Sequence, residues 1–345
     1  MQTCRLALVG FGNVGQGLAQ ILRDQGDFFG RKFGVQFLLA GISDQIKGSL
    51  YDPQGLSPGA LLEAIQQSGN LAAVPAAEKG WDAMTLIDQT EADALVELSY
   101  TDLKTGQPAL DHIRLALQKG RHVVTSNKGP IALRYPELAR LAEEMGVEIG
   151  VEGTVLSGTP ALHLGRDLLK GAIIHKIQGI LNGTTNYILT QMETGASYAE
   201  ALAGAQTQGY AEADPTGDVE GYDAAAKVAI LSNLLMEYPL ALEQVERTGI
   251  TGLTRPDIEG ARAAGQRWKL IGTLERAGER IVGSVRPVRL PLSHPLANVT
   301  GATNAITYTT EILGQVTLSG PGAGRKETGY AIISDLLSIY RKRNP

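Results

Sequence analysis

Residues 5–24 read RLALVGFGNVGQGLAQILRD, and this run decides the architecture of the first half of the chain. RLALV (5–9) is short and apolar, as a buried strand must be, while Leu18, Ile21 and Leu22 recur at helical spacing. Between strand and helix stand Gly10, Gly12 and Gly15. In that context each glycine has its own task. The first permits a tight turn, the second lets backbone approach a pyrophosphate, and the third lets helix pack on strand. Phe11, Asn13 and Val14 complete the turn, and the helix start offers unpaired N–H groups to phosphate. The stretch predicts a dinucleotide-binding unit.

Outward from it, VQFLLAGIS (35–43) reads as the second strand and ends at Asp44. A carboxylate there accepts hydrogen bonds from the adenosine ribose and favours NAD over NADP. Lys47 lies near enough in sequence to meet a 2′-phosphate instead, so both NAD and NADP stay open. QGDFFGRKFG (25–34) intervenes between the glycines and this strand. DALVELSY (93–100), PALDHIRLALQKG (108–120) and HVVTSNKG (122–129) then read as strand, helix and a strand ending in a loop. Such alternation implies an α/β fold with a doubly wound parallel sheet of Rossmann type. Ligands on these sheets sit beyond the carboxyl ends of the strands, where Ser99, Thr101 and Lys128 are expected. We set this domain at 1–150. A second glycine loop, SGPGAGRKET (319–328), precedes a helix that returns to it within 321–345. Residues 151–320 form the other domain, whose late strands predict an antiparallel sheet suited to subunit pairing.

Whole-chain properties restrict the classes of function. A net charge of −5 supplies no basic footprint for nucleic acid or an anionic membrane surface. Cys4 is the single cysteine, which excludes an internal disulfide and fits a reducing compartment. MQTCRLALVG runs straight into the glycine loop without room for a signal peptide. No apolar run reaches the roughly 20 residues of a membrane span. The expectation is a soluble, cytoplasmic protein.

The chemistry concentrates in GYAEADPTGDVEGYDAAAKVA (209–229). Glu212, Asp214, Asp218, Glu220 and Asp223 crowd ahead of one lysine, Lys227. On a helix over 223–236, Asp223 and Lys227 stand one above the other. Ile230, Leu231 and Leu234 project the same way, and Ala225, Ala229, Ser232 and Asn233 fill the outward arc. Lys227 then sits inside an apolar stripe, where burial disfavours the charged amine and the carboxylates favour it. An amine between those pressures suits general acid–base work. Ahead of it, LNGTTNYIL presents a helix start at Gly183 and Thr184 that suits a carboxylate, or is capped by Thr184 or Thr185. VEGTVLSGTPAL (151–162) carries backbone carbonyls that could face a ligand or a cation.

GFGNVG, VELSYTDLKTGQPAL, VVTSNKGP, LNGTTNYIL, GYAEADPTGDVEGYDAAAK and SGPGAG together resemble homoserine dehydrogenase across essentially the whole chain. The resemblance implies a cofactor domain, a dimerisation region and a substrate domain with a mixed sheet. It implies NAD(P)-dependent interconversion of L-homoserine and L-aspartate 4-semialdehyde by a homodimer. Carried over by position, it makes Lys128 and Lys227 the active-site lysines, and Glu212 the partner of the substrate amine. Asp218, Asp223, Gly183 and Thr184 then line the same pocket, and Gly322 joins the cofactor set. The segment holding Glu152, Val155, Ser157 and Thr159 corresponds to a monovalent-cation loop for Na+ or K+. No fused kinase and no C-terminal regulatory ACT domain is read in the chain, so feedback inhibition through such a domain is not expected. Two rivals fail on the residues. A thioester-forming semialdehyde dehydrogenase needs a nucleophilic cysteine, and Cys4 precedes the first strand's apolar core. A redox-sensing repressor needs a basic reading module that this acidic chain lacks.

Overall fold

Strand β1 (Gln2–Val9), buried along its last four residues, lies at the middle of a seven-stranded sheet. The other strands are β2 (Val35–Asp44), β3 (Gly48–Tyr51), β4 (Glu78–Lys79), β5 (Ala94–Glu97), β6 (His122–Thr125) and β7 (Ile149–Gly150). Their order is β4-β3-β2-β1-β5-β6-β7. β1 runs parallel to β2 and to β5, and β6 and β7 continue in parallel; β3 and β4 add an antiparallel edge. The chain reverses its direction of winding between β1 and β5, which makes their carboxyl ends the topological switch point. This is the doubly wound sheet expected from the sequence.

The helix after the glycine turn spans Asn13–Phe33 and closes on Gly34 in the left-handed conformation. QGDFFGRKFG is therefore mostly the continuation of this helix rather than a separate connector, because Gly26 and Gly30 are tolerated within its amphipathic pattern. HVVTSNKG also differs from expectation. Lys128 opens a helix (Lys128–Glu144) that Asn127 caps, so it does not lie on a loop. The C-terminal helix Arg325–Arg343 packs on the first one. A Cβ on Gly329 would sit 2.7 Å from the backbone nitrogen of Leu18, so the two backbones meet closely through small residues.

The computed structural model describes residues 2–343; Met1, Asn344 and Pro345, including the end of the expected returning helix, lie outside them. The chain divides into one unit of residues up to Gly158 together with those from Gly324, and a second unit, Thr159–Ala323. These edges fall a few residues beyond the 150 and 320 expected from the sequence.

The second unit holds β8 (Ile174–Ile180), β9 (Glu246–Arg247), β10 (Gln266–Ala277), β11 (Arg280–Pro291), β12 (Thr303–Thr310) and β13 (Gly314–Pro321). Their order is β13-β12-β8-β10-β11-β9. The pairs are antiparallel except β9 with β11, so the sheet is mixed. Helix Tyr222–Leu235 packs on β10 and β11. Its expected outward arc is also covered: Ala225, Ala229 and Ser232 are buried. Short helical segments after Pro160 lie against it as well, which no periodicity within the helix could reveal. Among the described residues, no helix is long and apolar enough to cross a membrane.

Candidate active site

On the first unit, the glycine turn has the features of an anion cradle. Gly10 takes φ of +96°, a conformation that excludes most side chains, and a Cβ there would lie 2.5 Å from the Leu98 carbonyl oxygen. Gly15 presses against the turn itself, with a Cβ position 2.8 Å from the Gly10 oxygen. Nothing lies within 4 Å of the same position on Gly12, which leaves its face open. Gly12 caps the helix without a side-chain bond, and no acidic residue occupies the first turn. The amides of Asn13, Val14 and Gly15 donate to no acceptor among the described residues. Open donors at a positive helix end suit a pyrophosphate.

Asp44, at the end of β2, holds this turn from the side. Its Oδ2 accepts the Phe11 amide at 2.7 Å, and its Oδ1 accepts the amides of Ile46 at 3.0 Å and Lys47 at 2.8 Å. Burial opposes the charge, but these amides outweigh it and hold the carboxyl below its ordinary value. The Lys47 ammonium stands 4.0 Å away. At the carboxyl end of β5, Ser99 is half-buried, as are Thr101 and Lys128. Asn127 joins two of these places. Its Oδ1 accepts the Gly129 amide, while its Nδ2 donates to the carbonyls of Ser99 at 3.1 Å and Tyr100 at 3.0 Å. The structure thus links Ser99 to the helix that Lys128 begins.

On the second unit, Lys227 is buried, with 6% of its surface exposed. Its Nζ donates to the Leu181 carbonyl at 2.6 Å and to Asp223 Oδ2 at 2.7 Å. Asn182 adds the next layer: Nδ2 donates to Asp218 Oδ1 at 2.7 Å and to Asp223 Oδ2 at 3.1 Å. Its Oδ1 accepts the Thr185 amide and so caps helix Gly183–Glu193. The cap is Asn182, not Thr184 or Thr185. Thr184 instead donates to the Tyr210 carbonyl at 2.6 Å and ties down the acidic loop. Asp218 is pushed up from the ordinary carboxylate range, first by burial and then by the Asp223 charge; Asn182, Lys227 and Thr184 only partly offset this. Glu212 is not drawn into this cluster. It is exposed, and its backbone carbonyl takes a bond from Gln206 at 3.1 Å.

Around Gly183 the structure shows a residue that the sequence reading missed. Asn304 is fully buried, with neither amide atom hydrogen-bonded among the described residues. Its Oδ1 lies 3.3 Å from where a Cβ on Gly183 would be, and a Cβ on Gly322 would fall onto the amide itself. Asn304 thus occupies the side-chain space of Gly322, whereas at Gly183 the nearer obstacle is the Ala302 carbonyl oxygen, 2.6 Å from the Cβ position. Lys269 was also missed. It is fully buried, donates to Asn186 Oδ1 at 3.0 Å and to the Val299 carbonyl at 2.8 Å, and is drawn down to about 8 by burial.

Glu152, Val155, Ser157 and Thr159 are all buried. Ser157 takes φ of +54° and shares a 2.7 Å hydrogen bond with the Thr328 hydroxyl. The carbonyls of Val155 and Ser157 accept no hydrogen bond from the described residues, whereas that of Thr159 accepts the Ala161 amide at 2.7 Å.

Residues 160–337 match the family model described as homoserine dehydrogenase, and residues 10–152 match its NAD binding domain. The chain is 43% identical over 342 residues to an NAD(+)-dependent homoserine dehydrogenase of Pseudomonas canavaninivorans, covering 99% of this chain and 97% of that one. It is similar to the crystal structure of a homoserine dehydrogenase from Thiobacillus denitrificans, with a TM-score of 0.87, 32% identity, and coverage of 99% and 74%. A hyperthermophilic archaeal homoserine dehydrogenase in complex with NADPH aligns with a TM-score of 0.84 at 29% identity, covering 99% and 98%.

The state of Asp218 makes a testable claim about stability. Its folded carboxyl binds a proton more tightly than the unfolded one, so its stabilising contribution is full below the ordinary value of 3.8 and is lost as pH rises through the folded value. Asp218→Asn keeps an oxygen for Asn182 and removes the charge. Thermal unfolding should show the variant melting higher than the parent at pH 7, with the gap closing toward about pH 4. A gap that widens on acidification would show the sign to be wrong.

Proposed function

The chain belongs to the homoserine dehydrogenase family, an NAD(P)-dependent oxidoreductase acting on a small-molecule substrate, and from that premise we propose how its residues divide the work. Lys227 is the main acid–base residue for interconverting L-homoserine and L-aspartate 4-semialdehyde. The observation that carries this is its buried ammonium, held by a carbonyl and a carboxylate with one of its three donors unused among the described residues. Asp223 orients it. Held by Asp223 at 2.7 Å, the Lys227 ammonium can give a proton to the oxygen of the aldehyde as it is reduced. Losing that proton lets it act as the base in the reverse direction. Lys128 is the second catalytic amine, and the two lysine roles are chemically exchangeable. Asp218, Gly183 and Thr184 belong to substrate binding in this reading, and Glu212, exposed and apart from their hydrogen-bonded cluster, is the carboxylate proposed to meet the substrate's ammonium group.

The first unit is the cofactor domain and the second the substrate and dimerisation domain. Gly10, Phe11, Gly12, Asn13, Val14 and Gly15 would hold the pyrophosphate, with Ser99, Thr101, Lys128 and Gly322 serving the rest of the cofactor. When bound, the nicotinamide exchanges hydride with the substrate carbon. Asp44, kept ionised by the glycine turn, repels a 2′-phosphate and favours NAD; Lys47 at 4.0 Å only partly counters it. The buried carbonyls of Val155 and Ser157, which accept no hydrogen bond from the described residues, support a monovalent cation (Na+ or K+) in the segment that also holds Glu152 and Thr159. β13 supports a homodimer. It is an edge strand of eight largely exposed residues, and Ile312 and Leu313 are exposed at its hairpin.

Lys227→Ala should lower turnover by about 100-fold or more with cofactor affinity intact; near-normal turnover would refute the acid–base assignment. In the same assays Glu212→Gln should chiefly raise the KM for homoserine, and an unchanged KM would remove it from the site. Comparison of the two cofactors should give a kcat/KM for NAD at least about tenfold above that for NADP, a 1.4 kcal/mol preference. Equal values would show that Asp44 does not discriminate. Melting in NaCl or KCl against choline chloride at equal ionic strength should show a cation-specific rise, and sedimentation should show a dimer. Identical melts would remove the cation, and a monomer the pairing.

A further inference from the structure

Glu97 ends β5 with its side chain fully buried, and neither cofactor binding nor proton transfer has given it a task. Its Oε1 gathers the Ser99 hydroxyl, the Ser99 amide at 3.2 Å, and Nδ1 of buried His112 at 3.4 Å. Its Oε2 has no hydrogen-bond partner among the described residues. The backbone of Glu97 is held as firmly. Thr125 donates its hydroxyl to the Glu97 carbonyl at 2.7 Å and accepts the Asn127 amide at 2.9 Å. Asn127 in turn holds the carbonyls of Ser99 and Tyr100 and caps the helix of Lys128. One chain of hydrogen bonds therefore runs from a buried carboxyl to both residues assigned to the cofactor end of this sheet.

A half-satisfied carboxyl in a dry core costs folding free energy. A threonine or glutamine could bond Ser99 without that cost, so fold stability alone does not explain the residue. A carboxylate acceptor offers a shorter, stronger bond that confines the Ser99 hydroxyl to one rotamer. Positions holding reacting groups need that kind of second layer.

We infer that Glu97, fixed by His112, is a positioning residue for the dehydrogenase reaction: its carboxyl sets Ser99 and, through the Ser99 carbonyl that Asn127 holds, the helix start that carries Lys128. This rests on the reading of Ser99 and Lys128 as cofactor-end residues. Glu97→Gln keeps the shape and weakens the acceptor, so kcat/KM for the cofactor should fall about tenfold. The KM for homoserine should move little. The double variant Glu97→Gln with Ser99→Ala should be no worse than the more damaged single one, because both remove the same constraint.

A purely structural role would lower the melting temperature and leave kcat/KM alone, which overturns the inference. So would additive losses in the double variant. Should Ser99→Ala by itself be kinetically silent, the reading of Ser99 fails and the inference falls with it; a damaging Ser99→Ala beside a silent Glu97→Gln sinks the inference alone. If Glu97→Gln does not fold, His112→Asn carries the test: it leaves the carboxyl and removes its anchor. It should reduce the same constant by about threefold, and no reduction overturns the proposal.

Discussion

A buried ammonium can persist only where acceptors meet it, since an unpaired charge in the protein interior is far costlier than any local gain from packing. Lys227 meets two, and they come from different elements. Leu181 follows β8, and Asp223 stands in the first turn of the Lys227 helix. The pair therefore fixes strand end and helix start against each other at the lysine head group. Asn182 extends the constraint by holding Asp223 and Asp218 while capping the helix that begins at Gly183. Burial and then the neighbouring Asp223 charge push the Asp218 carboxyl up, and the Asn182 bond and the Lys227 charge only partly offset them.

The dinucleotide unit obeys a similar constraint with the sign reversed. There the anion belongs to the protein at Asp44, and the cations are backbone dipoles. By taking the Phe11 amide, Asp44 uses one donor of the glycine turn, while those of Asn13, Val14 and Gly15 have no acceptor among the described residues. A single carboxylate thus holds the turn from the side, and the amides it accepts keep it below its ordinary value despite burial.

Much of this was legible in the sequence because it depends on short-range patterns. The glycine spacing, the strand–helix alternation and the Asp223–Lys227 spacing are local, and the structure places them in a doubly wound sheet and on one helix turn. What could not be read depends on distant neighbours. Ala225, Ala229 and Ser232 look like a solvent face until a second layer is packed on them. Residues 25–34 interrupt the sequence pattern because Gly26 and Gly30 lower helix propensity, yet the helix runs through them from Asn13 to Phe33 and ends only at the third glycine, Gly34. Asn304 and Lys269 lie in strands where a polar residue normally marks the wet face, and only the folded arrangement shows both to be fully buried.

Three asparagines account for much of the hidden remainder, and their shared logic is chemical. Asn127 and Asn182 each accept a helix amide with Oδ1 and hold carbonyls or carboxylates with Nδ2. Asn186 accepts from Lys269 and donates toward the carbonyls of Val299, Gly301 and Thr303. Only a carboxamide does both without charge. Aspartate is as good a cap, but at position 182 it would set a third carboxylate beside Asp218 and Asp223 with one lysine to serve them. At 127 it would abandon two carbonyls at the end of β5 and repel them. Serine caps as well but cannot span the distance to a second element. In sequence Asn127 and Asn182 read only as turn or cap formers, because their acceptor ends are local while their donor ends reach to distant segments; both ends of Asn186 reach far, 83 positions to Lys269 and as much as 117 to Thr303. In Asn127 and Asn182 the local half of the amide starts a helix, and the distant half ties that helix start to another segment.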